Sequence, residues 1–376
     1  PFLSKYLKED LHFSYSQVGW IMVSFGLGSM LGSWLGGKLS DKIGFYKIMI
    51  FSLLTSGIGF FILQKITSYH GLLIAIFFIM VIADMFRPAM FVSLGAYAKP
   101  ENRTRALTLV RLAINLGFAA GPALGGLLIM SVGYKGLFWV DGATCILAIL
   151  IFWIKVKEKK KSAYTDKEHP GEVLTHSVFK DGPFWIFLMI CLISGIMFFQ
   201  LFTTIPLYHK EQFNLSELQT GLLLTFNGVL VFFVEMPLVS YIERNKINKL
   251  RAINLGGLLM TISMFLLLIN NWVGILIVMM LFMTFAEMFA FPFSNSFAMS
   301  RAPKGHEGRY MAIFTMTYSM AHILSAKSGM TIIDHFGYQA NWLFMGTLGF
   351  ISVLLGLWVI KLVNKKPIET IKTKNL

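Results

Sequence analysis

Apolar runs of about twenty residues, separated by short polar turns, fill the chain from end to end. They lie at 17–37, 47–66, 71–95, 106–131, 137–155, 183–206, 217–241, 251–269, 273–299, 309–333 and 341–362. At 1.5 Å of rise per residue, each is long enough as a helix to cross a hydrocarbon layer of about 30 Å. Membrane strands would instead alternate apolar and polar residues over about ten positions, whereas "LLIAIFFIMVIA" is apolar on every face. The pattern predicts an all-α membrane protein with eleven spans in this chain.

Composition agrees with the pattern. Hydrophobic residues make up 56% and charged residues 14%, against about 45–50% and 25% in soluble domains. The net charge of +14 is accounted for by its placement. With the first loop outside, 25 of the 33 Lys and Arg fall in cytoplasmic loops and tail, 5 in external loops and 3 within spans. That bias is the positive-inside rule. It implies a lipid bilayer as the partner, with the central loop and C-terminus cytoplasmic in a plasma membrane of bacterial inner-membrane type, and it requires no nucleic acid. Cys145 and Cys191 both lie in apolar runs, so neither a disulfide nor a cysteine metal site is expected. His169 and His176 stand seven apart in a polar segment without clustered carboxylates, which gives no metal site either.

The stretch "KEDLHFSYSQVG" at residues 8–19 recurs as "KEQFNLSELQTG" at 210–221. Lys, Glu, Ser, Gln and Gly stand in the same places. Twenty-two residues after each glycine comes an acid followed by a base, Asp41-Lys42 and Glu243-Arg244. "ADMFRP" (83–88) is then echoed by "AEMFAFP" (286–292), and the 28-residue interval from Arg105 to Gly133 by that from Arg309 to Gly337. Such spacing predicts two parallel copies of one unit. Parallel copies need an even number of spans each. The second copy has six and the first five, so one helix before Pro1 is expected to complete a protein of twelve. The expected organisation is an N-terminal half at 1–155, a polar cytoplasmic linker at 156–182, a C-terminal half at 183–362 and a cytoplasmic tail at 363–376.

Two six-helix halves joined by a basic loop resemble the major facilitator superfamily, and two motifs carry the resemblance further. In "GGKLSDKIGFYK", Gly37, Asp41, Lys42 and Gly44 match that family's motif A, although Phe45 and Tyr46 replace its following bases. The resemblance implies a cytoplasmic latch between halves. A carboxylate at a helix N-terminus gains from the free N–H groups there, so Asp41 is expected near the start of the span at 309–333, with Arg309 or Arg105 close by. Glu243 is expected to mirror it at the start of the span at 106–131. In "NLGFAAGPALGG", Gly117, Gly121 and Gly125 are spaced four apart, a pattern that permits close helix contact, and Pro122 removes a backbone donor. With Gly126 this order resembles motif C, which implies the drug–proton antiporter branch.

Charged side chains in spans are costly and face cavities or partners. The candidates are Asp84, Arg87, Arg111, Glu235, Glu287, His322 and Lys327. Asp84 and Glu287 hold equivalent repeat positions, each followed by Met-Phe, and are expected to face one central cleft. Asp84 and Arg87, three apart, are expected to share a helical face. Glu287 has no basic neighbour within a turn and is the candidate proton carrier. Lys327 and Asp334 are expected to pair near the external surface.

The leading expectation is a secondary transporter that exports hydrophobic or cationic small molecules in exchange for H+ by alternating access, working as a monomer without a cofactor. The alternative is a proton-coupled uptake symporter for a peptide, sugar or other polar nutrient, with Arg87, Arg111 and Lys327 holding an anionic group. No phosphate-binding loop G-x-x-x-x-G-K-[ST] and no HExxH is present, so neither ATP-driven transport nor a zinc protease is indicated.

Overall fold

In a bilayer, backbone N–H and C=O groups must find partners within their own segment, so uninterrupted apolar runs fold as helices. A computed structural model describes residues 2–98, 103–159, 178–302 and 307–365. A short helix α1 (Leu3–Lys5) runs on through a π-turn at Tyr6–Asp10. The long helices of the first half follow: α2 (Tyr15–Ile43), α3 (Phe45–Leu63), α4 (Tyr69–Ala83), α5 (Phe86–Tyr97), α6 (Arg103–Val132) and α7 (Tyr134–Lys155). The second half contains α8 (Gly182–Phe199), α9 (Ile205–Phe213), α10 (Glu217–Arg244), α11 (Lys249–Leu266), α12 (Ile275–Arg301) and α13 (Glu307–Lys365). Ten helices among the described residues are long and apolar enough to cross a membrane. The last of them contains a break at Gly337 (φ 80°, ψ 176°), which divides α13 into two helical stretches. The expected apolar runs fall mainly on these helices.

The repeated polar stretch is a repeated turn. His12 and Asn214 both adopt positive φ, 55° and 53°. Two residues later Ser14 and Ser216 cap the next helix, each accepting from the N–H of a glutamine three positions on and each bonded back by that glutamine's side chain. These reciprocal capping boxes satisfy two otherwise unpaired donors at each helix start. They account for the Ser-x-x-Gln in both copies. Gly133 and Gly337 repeat in the same way, with φ of 75° and 80° at the corner before an aromatic helix start.

The two halves meet along α6 with α10 and α2 with α13. On the first seam the backbones touch. A Cβ on Gly126 would lie 2.5 Å from the Glu217 carbonyl oxygen, one on Gly221 2.2 Å from that of Pro122, and one on Gly228 2.6 Å from the Ala119 Cα. The Ala123 N–H, beside Pro122, donates to Thr225 Oγ1 across the seam at 3.2 Å. The expected packing stripe of Gly117, Gly121 and Gly125 is not on this seam. Those glycines line an open groove beside Phe2, and a Cβ on Gly117 or Gly121 would meet nothing within 4 Å. Gly126 stands one position further round the helix and makes the contact instead. Within the first half a different ladder, Gly28, Gly32 and Gly36 of α2, lies against Phe77 and Val81 of α4 and Met85.

The seam is sealed at one end and splayed at the other. Where the closed end seals, Leu207 of the second half joins Tyr6, Leu7, Val18 and Ile21 of the first in one core cluster. At the opposite end Asp181 caps α8 through the Phe184 N–H at 3.2 Å and takes a two-pronged contact from Arg301, at 2.8 and 2.9 Å. Tyr310 adds its hydroxyl at 3.2 Å. That cluster ties the start of α8 to the end of α12 within the second half.

Gly221→Ala is expected to cost about 1–3 kcal/mol by forcing the α6–α10 seam apart, whereas Gly117→Ala changes stability by less than about 0.5 kcal/mol. Thermal unfolding in detergent checks both, and equal midpoints for the two variants would contradict the placement of the seam.

Candidate functional site

Past Ala119 and Gly228 the helices α6 and α10 diverge, and a cavity of about 1080 Å³ opens between the halves. Two helical stripes with four-residue spacing form much of its wall. One on α10 runs Asn227, Val231, Glu235, Val239 and Glu243, and one on α12 runs Glu287, Phe291, Asn295 and Met299. The first half contributes Phe91, Asn115 and Phe118, and the end of α8 contributes Phe198, with Phe202 just beyond it. Phe198 and Phe291 pack edge to face at 4.8 Å between centroids, and Phe118 approaches Phe202 at 6.3 Å. Five phenylalanines therefore surround the acids.

Glu287 accepts a hydrogen bond from the Asn227 side-chain amide, which also donates to Thr284 Oγ1 at 2.9 Å. Thr284 in turn donates to the Met280 carbonyl of its own helix at 2.7 Å. The amide thus orients the carboxyl group while leaving it on the cavity wall. Glu235 is buried in the same wall, one helix away. Lys249 is the sole basic side chain among the described lining residues, and it stands with Glu243 towards the cavity mouth. Among the described residues, no group of three or more His, Cys, Asp and Glu could hold a metal ion.

Several candidates are placed elsewhere. Asp84 does not share the cleft with Glu287: it is half-buried where α4 gives way to α5, and its neighbour is Ser29 of α2. The helix breaks at Asp84 and Met85, so Arg87 does not share a continuous helical face with Asp84. Arg87 is exposed and makes no close ion pair with Asp84, although its charge still acts on that carboxylate. The break restarts the helix at Phe86.

His322 sits between the rings of Phe25 and Phe199, at 5.2 and 4.8 Å, at the α2–α13 seam. Lys327 places its ammonium 4.5 Å above the Trp20 ring and leaves Asp334 exposed and unpaired with it. A cation over an indole face keeps part of its electrostatic compensation without a carboxylate. Neither His322 nor Lys327 lines the cavity.

Of the motif A residues, Gly44 makes the turn between α2 and α3 with φ of 96°, Lys42 is exposed, and Gly37 faces open space. The side chains of Asp41, Arg105, Arg309 and Arg111 lie outside the described residues. Glu243 is exposed at the cavity mouth.

Sequence reasoning misses Asn227 and Asn115. An asparagine inside an apolar run is itself a signal, because an unpartnered amide in a low-dielectric layer is costly. The eight-residue intervals from Asn227 to Glu235 and on to Glu243 supply the register.

Two helical halves sealed at one end around a wall of acids and aromatic rings define a membrane transporter of small molecules. The family model for the Major Facilitator Superfamily matches residues 1–326. The Na(+), Li(+), K(+)/H(+) antiporter of Planococcus maritimus is 22% identical over 402 residues, covering 99% of this chain and 93% of its own. The quinolone resistance protein NorA of Staphylococcus aureus is 26% identical over 231 residues, 61% of this chain and 58% of its own. A crystal structure of a bacterial homolog to the human lysosomal transporter Spinster, inward-facing and occupied, superposes with a TM-score of 0.80 at 12% identity, covering 96% of this chain and 92% of that one. The chain belongs to the major facilitator superfamily: it is a multi-pass membrane transporter and not an enzyme.

With Cys145 and Cys191 replaced, Asn295→Cys is expected to react readily with a membrane-impermeant maleimide added to the splayed face. Asp84→Cys should react far more slowly. Comparable rates would place Asp84 on the cavity after all.

Proposed function

We propose that the protein is a proton-coupled exporter of hydrophobic or cationic small molecules, acting as a monomer in a bacterial plasma membrane with the splayed face, linker and C-terminus cytoplasmic. The observation that carries this reading is the wall composition: three carboxylates, Glu235, Glu243 and Glu287, and five phenylalanines around a cavity of about 1080 Å³, with Lys249 as the sole described base and that at the mouth. A lipophilic cation gains from aromatic faces and from a carboxylate in the same site. An anionic nutrient would meet carboxylates where it needs bases. Of the three bases the uptake reading needs, Arg87 and Lys327 are away from the cavity, and the side chain of Arg111 lies outside the described residues.

The coupling follows from competition. Glu287, oriented by Asn227, either carries a proton or offers its charge to a cationic substrate, so the binding of one disfavours the other. Substrate enters from the cytoplasmic face and displaces the proton, and the halves then rock to expose the cavity outside. There a proton displaces the substrate and the carrier returns. Glu235, one helix away, enlarges the negative field that draws the cation inward.

The antiporter and the quinolone resistance protein among the chain's relatives agree with an exchange that includes protons and with drug resistance as its outcome. A bare alkali ion would leave a cavity of this size largely empty, so the likeness to the cation/proton antiporter is taken for the proton side of the exchange.

In everted vesicles from cells lacking other efflux pumps, respiration is expected to drive accumulation of a lipophilic cationic dye. Glu287→Gln should reduce the proton-driven rate by at least about tenfold, and Lys327→Ala should leave it within about twofold. Absence of dye transport by the wild type, together with proton-driven uptake of a polar nutrient into right-side-out vesicles, would favour the symporter.

A further inference from the structure

The closed end contains a buried titratable group that the transport cycle above does not use. Lys5 has no exposed surface, and its ammonium sits 3.1 Å from Glu217 of α10 and 3.7 Å from Glu9. The Lys5–Glu217 contact crosses between the halves. Glu9 also accepts from the Tyr134 hydroxyl at 2.9 Å. The second crossing uses the same repeat positions with different chemistry: Tyr15, the counterpart of Glu217, donates to Glu211, the counterpart of Glu9.

The repeat exposes a further exchange. At the 202-residue offset Lys5 corresponds to Leu207, and His209 corresponds to Leu7. All four side chains are fully buried. Each half therefore puts one base where the other has a core leucine. His209 has no hydrogen-bond partner on either ring nitrogen, although its backbone carbonyl accepts from the Leu215 N–H at 3.0 Å.

The charged group acting on the imidazole is Lys5. Glu217 and Glu9 are engaged by Lys5, Glu211 by Tyr15, and Lys8 stands 4.0 Å over the Tyr15 ring. Lys210 adjoins His209 on α9, and Asp10 is exposed. The hydroxyls of Tyr6 and Thr220 are buried without partners. No carboxylate contacts the ring to hold a proton on it while the seal is shut.

We propose that His209 makes this seal proton-responsive: when the Lys5–Glu217 pair separates and water enters, acid on the closed face protonates His209 and holds that face open. The sign follows from the two states. With the seal shut, burial first and the Lys5 charge second push the imidazole down to about 3. With the seal open, in water, it returns to the ordinary histidine value of about 6.5. The proton therefore binds the open form, and the shut form loses ground as pH falls below about 6.5. At pH 5.5 the open-to-shut ratio is expected to rise about tenfold over its value at pH 7.5.

The functional meaning rests on the alternating-access reading, but the test reads conformation alone. Spin labels are attached through Thr67→Cys and Asn271→Cys, exposed positions on opposite halves at the closed end, with Cys145 and Cys191 replaced. Double electron–electron resonance is then recorded on the protein in lipid nanodiscs at pH 7.5 and 5.5. A longer-distance population that grows at pH 5.5, and fails to grow in His209→Leu, is the expected result. Lys5→Met should populate the longer distance already at pH 7.5. The double variant Lys5→Met/Glu217→Gln, which removes the charge of Glu217 together with that of its partner, should do the same and guards against misfolding of the single one. Glu287→Gln should keep the pH response even where transport is lost, so the two proposals fail separately. A wild type indifferent to pH, a response that persists in His209→Leu, or an unchanged distance in the double variant would overturn the proposal.

Discussion

The architecture depends on two helices from different halves touching at the backbone. Where α6 and α10 meet, no side chain separates Gly126 from Glu217 or Gly221 from Pro122. In lipid, apolar association gains little from excluding water, so close packing and interhelical hydrogen bonds must supply much of the attraction. This seam has both, because Thr225 meets the N–H beside Pro122. Contact at one end permits separation at the other. The cavity begins where the small residues give way to Asn115, Phe118 and Val231. The same seam therefore holds the halves together and sets the depth of the site.

Polar groups inside the bundle follow one rule, that each costs unless partnered. Gln200 has no exposed surface, donates to Ser325 at 2.8 Å and accepts from Thr204 and from Asn341. That network joins the turn after α8 to α13 within the second half, and none of its members lines the cavity. Glu287 has a single amide partner and the cavity on its other side. A buried network whose members bond to one another fixes a structure, and an acid held at a cavity wall is available for exchange. The contrast separates packing chemistry from transport chemistry among residues equally rare in apolar runs.

Much of the fold was legible because one polar stretch occurs twice. Ser14 and Ser216 with their glutamines mark helix starts, and Gly133 and Gly337 mark corners, each by a local chemical requirement that survives in both copies. The site was less legible. Repeat equivalence between Asp84 and Glu287 implied a shared cleft, but α4 ends at Ala83 and the acid turns towards α2, whereas α12 continues unbroken through Glu287. Helical spacing told which glycines share a face without telling what that face meets. Gly117, Gly121 and Gly125 have the same spacing as Gly28, Gly32 and Gly36, and only the second set lies against a neighbouring backbone throughout. The Asn227–Glu287 contact joins residues 60 apart, and no local pattern encodes it.

The departures from symmetry carry the directional information. A transporter built from two identical halves would have equivalent walls and equivalent seals, with nothing to distinguish loading from release. Here the three wall acids on α10 and α12 come from the second half, while the first contributes Asn115 and aromatic rings. At the seal the first half supplies Lys5 and the second Glu217, and the mirrored crossing is a tyrosine on a carboxylate. An ion pair withdrawn from water and a phenol–carboxylate hydrogen bond respond differently to hydration, because separating the pair leaves two full charges to be solvated and separating the phenol leaves one. The repeat gives the halves a shared axis to rock about. In the proposed cycle, the unequal chemistry at its equivalent positions would let a proton and a substrate bias that motion in opposite directions.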